Sequence, residues 1–318
     1  MSTDKQKNTG PKKSILHDAS KSTALFWIVV MYAASLAAAW LYLTNADINV
    51  DSTKDVLLHT LLADLIATFV IFIASRITRN SSCYDAYWSI IPPAIYHYWV
   101  WLSGRSLSEP LVLMVGIVIW YWAIRLTANW ARFWTGFDHE DWRYPLLRDN
   151  AGKGEVLVDF FAIHFFPTLQ VYLAMLPIYV VLFLGDSISY AIALFALFCG
   201  IAAPTIQLVA DEQLHRFIAT RKPGQIMQTG LWSWSRHPNY FGEILFWFSL
   251  LFFGLATYPA AFWWMSLGAI AMTMLFLFAS IPMMEKRSLE RRPEYQRIIE
   301  STSMLIPLPP RNAHNNDG

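Results

Sequence analysis

Asn239 and Glu243 stand four residues apart in GLWSWSRHPNYFGE, residues 230–243. On a helix that spacing puts an amide and a carboxyl on one face, one turn apart. Just upstream, QLVADEQ at 207–213 repeats the arrangement with Gln207 and Asp211. Amides and carboxylates so placed can hold hydroxyls and carboxamides. Downstream, EKRSLERRPEYQRIIESTSMLIP at 285–307 sets Arg287 and Arg291 on one helical face with Arg292 beside them. Guanidinium forks grip phosphates. The same cluster also reads as a basic anchor with Glu285, Glu290 and Glu294 as surface partners.

The elements that must position these groups are membrane helices. The chain of 318 residues is 55% hydrophobic and only 15% charged, the profile of a polytopic membrane protein. About 20 helical residues span a bilayer core. Eight stretches qualify, near 22–43, 56–77, 85–102, 110–128, 156–184, 187–210, 240–256 and 260–282. The third is interrupted by Pro92 and Pro93 and followed by Tyr96, His97 and Tyr98, which leaves seven as the alternative count. The first is too long for a signal peptide, lacks a small-residue cleavage site and reads as a retained anchor. The expected fold is all-α, a polytopic transmembrane helix bundle. It forms one membrane domain over 22–307, with polar, disordered ends at 1–21 and 308–318.

Charge asymmetry sets the expected topology. Lys5, Lys7, Lys12, Lys13 and Lys21 precede the first span, and the even-numbered connections and the tail gather most remaining Lys and Arg. The opposite side holds Lys54 and Arg105. By the positive-inside rule both termini are cytoplasmic, at the inner membrane if the source is bacterial. A seven-span count would spoil this separation.

Several chemistries are excluded. A net charge of +1 with no basic face beyond what topology explains argues against nucleic acid. Cys83 and Cys199 are isolated, so neither a disulfide framework nor a metal site is expected. The eight histidines form no HxxxH or HxxHH cluster of the kind a di-iron site needs. There is no GxGxxG after a strand, and AGKGE at 151–155 lacks P-loop spacing. The Asn80-Ser81-Ser82 sequon falls on the cytoplasmic side in this topology and is read as chance. No internal repeat supports a transporter. No obligate protein partner is expected; the surroundings are membrane lipids.

Depth is the informative variable, because ionisable groups inside membrane helices are costly. Asp85, Arg125, Asp159, His164, Gln207, Asp211, Asn239 and Glu243 all fall toward the cytoplasmic leaflet. Only His59, Asp64 and His97 lie elsewhere. Polar residues at helix ends also read as caps, but Glu243, followed by ILFWFSLLFF, needs a partner. Such a gathering is where a charged, water-soluble cofactor could meet an apolar substrate entering from lipid. Within 230–243, Trp232 and Trp234 read as interface anchors and Gly242 as a point of close approach. Arg236 and His237 remain open between phosphate contact and anchor.

Six elements carry a family resemblance: CYDAYW at 83–88, WAIRLTANWARF at 122–133, EDWRY at 140–144, VADEQ at 209–213, GLWSWSRHPNYFGE at 230–243, and RRPEYQ followed by TSMLIP. In this order, over about 80–308, they resemble the steroid 5-alpha-reductase-like membrane proteins, and more closely the bacterial branch known as DUF1295. The resemblance implies NADPH-dependent reduction of an activated carbon–carbon double bond in a lipophilic, steroid- or terpenoid-like molecule. It also implies that Asn239, Tyr240, Glu243, Asp211 and Gln207 face the cofactor, with Arg287 and Arg143 toward its phosphates and Arg236 and His237 as further cofactor candidates. Gln207 departs from the Glu or Asn usual in the family, although an amide can make comparable hydrogen bonds. The proton donors implied are Tyr121 and Asp85, with Tyr121 equally placed to be an interface anchor. The RHPNYFGE core is shared with membrane methyltransferases of the isoprenylcysteine type, so transfer from S-adenosylmethionine is the rival reading.

Overall fold

The structure is a computed structural model and describes residues 16–310. The ends at 1–15 and 311–318, with the lysines and most of the disorder expected there, lie outside the described residues. Among the described residues the chain is helical and without a strand. Eight helices follow in order: α1 Lys21–Asn45, α2 Thr53–Thr78, α3 Tyr87–Ser103, α4 Pro110–Phe133, α5 Arg143–Leu184, α6 Tyr190–Thr220, α7 Pro238–Thr257 and α8 Pro259–Arg291. A short α9, Tyr295–Ser301, ends the helical part.

Seven of the eight are long and apolar enough to cross a membrane. The exception is α3, with 17 residues and both Pro92 and Pro93 inside it. At 1.5 Å per residue it reaches about 25 Å, short of a hydrocarbon core of about 30 Å. The third stretch is therefore a helix, but a shorter one than the spans around it. The protein is a multi-pass helical bundle.

The caps follow from local chemistry. Ser20 and Ser52 accept from the amides of Thr23 and Asp55 at the starts of α1 and α2. Arg79, at φ +54°, closes α2 in the left-handed conformation. Pro238 opens α7, where its missing N–H costs nothing. Three boundaries lie well outside the apolar stretches: α5 begins at Arg143, well before 156, α6 runs on to Thr220, past 210, and α8 continues to Arg291, past 282. The backbone ladder runs on through polar turns that hydropathy alone would place in loops.

The described residues divide into two compact units, the first made of those up to Trp88 with Ala128–Thr168 and the second of Ser89–Thr127 with those from Leu169 on. In the first, α1 packs on α2. Arg76 of α2 bridges Asp159 and Glu155, while Arg148 bridges Asp159 and Glu140. Ser81 donates to Asp159 at 2.6 Å. A π-helical turn over Asp159–Phe165 turns His164 so that its ring meets the Asp159 carbonyl and the Ser75 hydroxyl. Asn80 is buried and donates to the Phe137 and His139 carbonyls, so the sequon is structural. In the second unit, α6 and α7 lie side by side. Gly242 makes this possible: a Cβ there would sit 2.6 Å from Gln207 Cγ and 2.8 Å from the Ala203 carbonyl oxygen. Trp99, Trp122 and Trp247 are fully buried in its core.

Candidate functional site

The second unit gathers most of the residues singled out in the sequence. Glu243, on α7, is buried. One carboxylate oxygen accepts from the Trp122 indole at 3.0 Å and from the Gln207 amide; the other accepts from the Trp247 indole at 2.9 Å. The Trp122 ring stacks on Phe246 with centroids 4.4 Å apart. Gln207 in turn accepts from Arg125 at 2.7 Å, and Arg125 pairs with Asp211 at 2.9 Å. Asn239 reaches the other Asp211 oxygen at 3.4 Å. One polar chain thus joins α4, α6 and α7 and sets two carboxyl groups against one guanidinium. Its Glu243 end is closed by aromatic rings, while Asp211 and Asn239 are partly exposed.

The loop before α7 is tied to the end of α6. Gly230 takes φ +63°, and the adjacent Leu231 amide donates to Gln213 at 2.9 Å. Trp232 donates to the Ala210 carbonyl at 2.9 Å, so it fastens the loop, while Trp234 stays 46% exposed as an interface residue would. Arg236 and His237 have an internal partner that the sequence did not indicate. Both are buried and both engage Glu285, at 2.7 and 3.0 Å. Arg236 also donates to the Ile299 and Thr302 carbonyls. Glu285 is correspondingly an internal partner and not a surface one. Tyr240 stacks its ring on His237 and meets Phe276. Tyr121 shares a 3.0 Å hydrogen bond with Thr205. Arg287 is partly buried on α8.

Asp85 and Arg143 belong to the first unit. The Tyr144 hydroxyl donates to Asp85 at 2.5 Å. Burial pushes the Asp85 carboxyl up to about 7, against the opposing pull of its hydrogen bonds to Tyr144 and Ser82. Arg143 lays its fork on Asp141, at 2.8 and 3.0 Å. Burial would raise Asp141, but the guanidinium outweighs it and holds the carboxyl below its ordinary range.

One group went unassigned in the sequence reading. Asp64, on α2, is 4% exposed, and neither carboxyl oxygen has a hydrogen-bond partner among the described residues. The Tyr87 hydroxyl is buried beside Thr68. Asp64 lies within electrostatic reach of Tyr84 and Tyr87. Tyr84 is itself tied to Thr168 at 2.7 Å, and Thr168 to Thr68 at 2.9 Å. The signal was available: a lone carboxyl inside LLADLIATFV. It was passed over because its depth differed from that of the other polar residues.

The fold and the buried polar chain define a class, a multi-pass helical membrane protein with ionisable groups linked across its helices. Within that class the chain belongs to the DUF1295 family, described as a protein of unknown function, whose profile matches residues 71–302. It is similar to an uncharacterised protein of Schizosaccharomyces pombe, 26% identical over 271 residues that cover 78% of each chain. That relative is fungal, so it lends no support to a bacterial branch. No solved structure matches the chain.

Proposed function

We propose that the protein is a membrane oxidoreductase that uses NADPH to reduce an activated C=C bond, an enone, in a lipophilic substrate. The observation that supports this reading best is the polar chain Glu243–Gln207–Arg125–Asp211–Asn239. It is closed at one end and open to a ligand at Asp211 and Asn239. The donor set suits the cofactor in kind. A carboxylate and an amide match ribose hydroxyls and a carboxamide, and a guanidinium group such as that of Arg287 matches a phosphate. The basic residues that follow α6 and α8 would put this end of the helices on the cytoplasmic side, where a soluble cofactor has access.

NADPH, when bound, supplies a hydride for the β carbon of the enone. The protein must then meet the negative charge that develops on the carbonyl oxygen with a proton or hydrogen-bond donor. Tyr121 and Asp85 are the donors implied by resemblance, and each already has a partner, Thr205 and Tyr144. Asp64 is a further candidate donor, a buried carboxyl whose oxygens have no hydrogen-bond partner among the described residues.

The test is cofactor binding by purified protein in detergent. NADPH should shift in fluorescence on binding, and Asp211→Asn should weaken that binding while Asp64→Asn leaves it intact and abolishes turnover of an enone. Tight binding of S-adenosylmethionine with no response to NADPH would replace this reading with methyl transfer.

A further inference from the structure

We infer that Arg236 and the C-terminal segment 302–308 form a clasp that positions Asn239 and Glu243; the inference rests on the reading of those two residues as part of a cofactor site. The segment follows α9 and runs beside residues 234–236. The Arg236 amide donates to the Ser303 carbonyl at 2.8 Å, and the Leu308 amide donates to the Trp234 carbonyl at 3.0 Å. Between them the Ser235 hydroxyl donates to the Leu305 carbonyl at 2.7 Å. The Arg236 side chain adds two more bonds to the chain's end, to Ile299 at 2.8 Å and Thr302 at 2.7 Å.

The other side of the clasp is α8. Glu285 takes the Arg236 Nε at 2.7 Å and the His237 ring at 3.0 Å. Residues 234–237 are therefore held from two directions, by α8 and by the tail. Pro238 begins α7 immediately afterwards, so there is no slack between the clasp and the helix. A displacement of Arg236 passes to Asn239, three residues on, and through the rigid helix to Glu243. A surface anchor would need only charge, whereas Arg236 has an 8% exposed side chain and a planar fork shared among a carboxylate and two carbonyls. Lysine keeps the charge but cannot reproduce that fork. Arg236 is thus a positioning residue that acts through α7 and not through contact with the ligand.

The experiment uses the full chain carrying Arg236→Lys and, separately, Ser235→Ala, which removes the hydroxyl's bonds to the Met304 and Leu305 carbonyls and from the His237 amide and spares the ion pair. Hydrogen exchange is followed in peptides covering 234–240 and 302–308, and NADPH affinity is measured on the same samples. The expectation for Arg236→Lys is faster exchange in both segments together and a rise in the NADPH Kd of about tenfold or more, with a smaller change in kcat at saturating NADPH. Ser235→Ala should move the same quantities in the same direction by less, and it carries the test if Arg236→Lys does not fold. Unchanged exchange at 302–308 would overturn the clasp. So would faster exchange with an unaltered NADPH Kd, because Arg236 would then stabilise without positioning. If the unaltered chain binds no NADPH, the reductase reading fails, and the coupled exchange of the two segments decides the clasp alone.

Discussion

Glu243 and Asp64 are buried to the same degree, 4% exposed each, and their surroundings treat them in opposite ways. Glu243, in the second unit, accepts from two indoles and an amide. Asp64, in the first, has no hydrogen-bond partner among the described residues. Burying a carboxyl without a donor costs stability, and in a membrane helix the cost falls on a group that could simply have been leucine. The glutamate is built into the fold, whereas the aspartate is a local loss that a task other than stability must explain. The packing supplies three donors to Glu243 and none to Asp64 among the described residues.

The largest expected effect is on the satisfied side. Glu243→Leu leaves the Trp122 and Trp247 N–H groups and the Gln207 amide facing an apolar side chain. Truncating one member of a buried charged network typically costs about 3–5 kcal/mol. Thermal unfolding of the purified protein should show a fall of that size. A loss below about 1 kcal/mol would mean the three donors find other acceptors, and the contrast with Asp64 would disappear.

The unsatisfied side should respond with the opposite sign. Asp64→Leu removes a buried group that lacks a partner, so the variant should gain about 1 kcal/mol of stability while losing turnover. Stability and activity would then move apart, as they do where a protein keeps an unfavourable group for its chemistry. A destabilised Asp64→Leu would show instead that the carboxyl has a structural partner, and the reading of it as a donor would fall.

The sequence carried the fold further than the site. Spans and polar ends were legible because hydropathy reports burial in lipid directly, and only α3 fell short, through the proline pair that depth and length together expose. The grouping of Gln207, Asp211, Asn239 and Glu243 was legible from helical spacing, since residues four apart share a face. Their partners were not. Trp122, Trp247 and Arg125 come from elsewhere in the sequence, and no local pattern states which indole turns toward a carboxylate. For Arg236 and His237 the sequence leaves phosphate contact and anchor open, and it does not show that they are buried against Glu285. Their burial depends on a tail about 65 residues later, and that pairing has no periodicity to announce it. Asp64 was visible as a residue and invisible as a site, because a missing partner is a property of the packed molecule alone.

Asp85 stands between the two extremes and gives the smallest and most specific effect. It is partly buried and has one strong partner, the Tyr144 hydroxyl, which is not enough to offset desolvation. Its carboxyl is raised from 3.8 to about 7 in the folded chain. The folded protein therefore holds this proton over a range where the unfolded chain has released it. By linkage, the contribution of Asp85 to stability is full below about 4 and is lost as the pH rises through about 7. Asp85→Asn carries no such proton, so its stability should fall less than that of the unaltered chain between those limits. The gap between the two curves should widen steadily toward pH 7. Tyr144→Phe removes the hydrogen bond that favours the ionised form, and should push the upper end of the window to higher pH. Parallel curves for Asp85→Asn and the unaltered chain would show that the fold does not raise the Asp85 carboxyl, and this reading of it would fall.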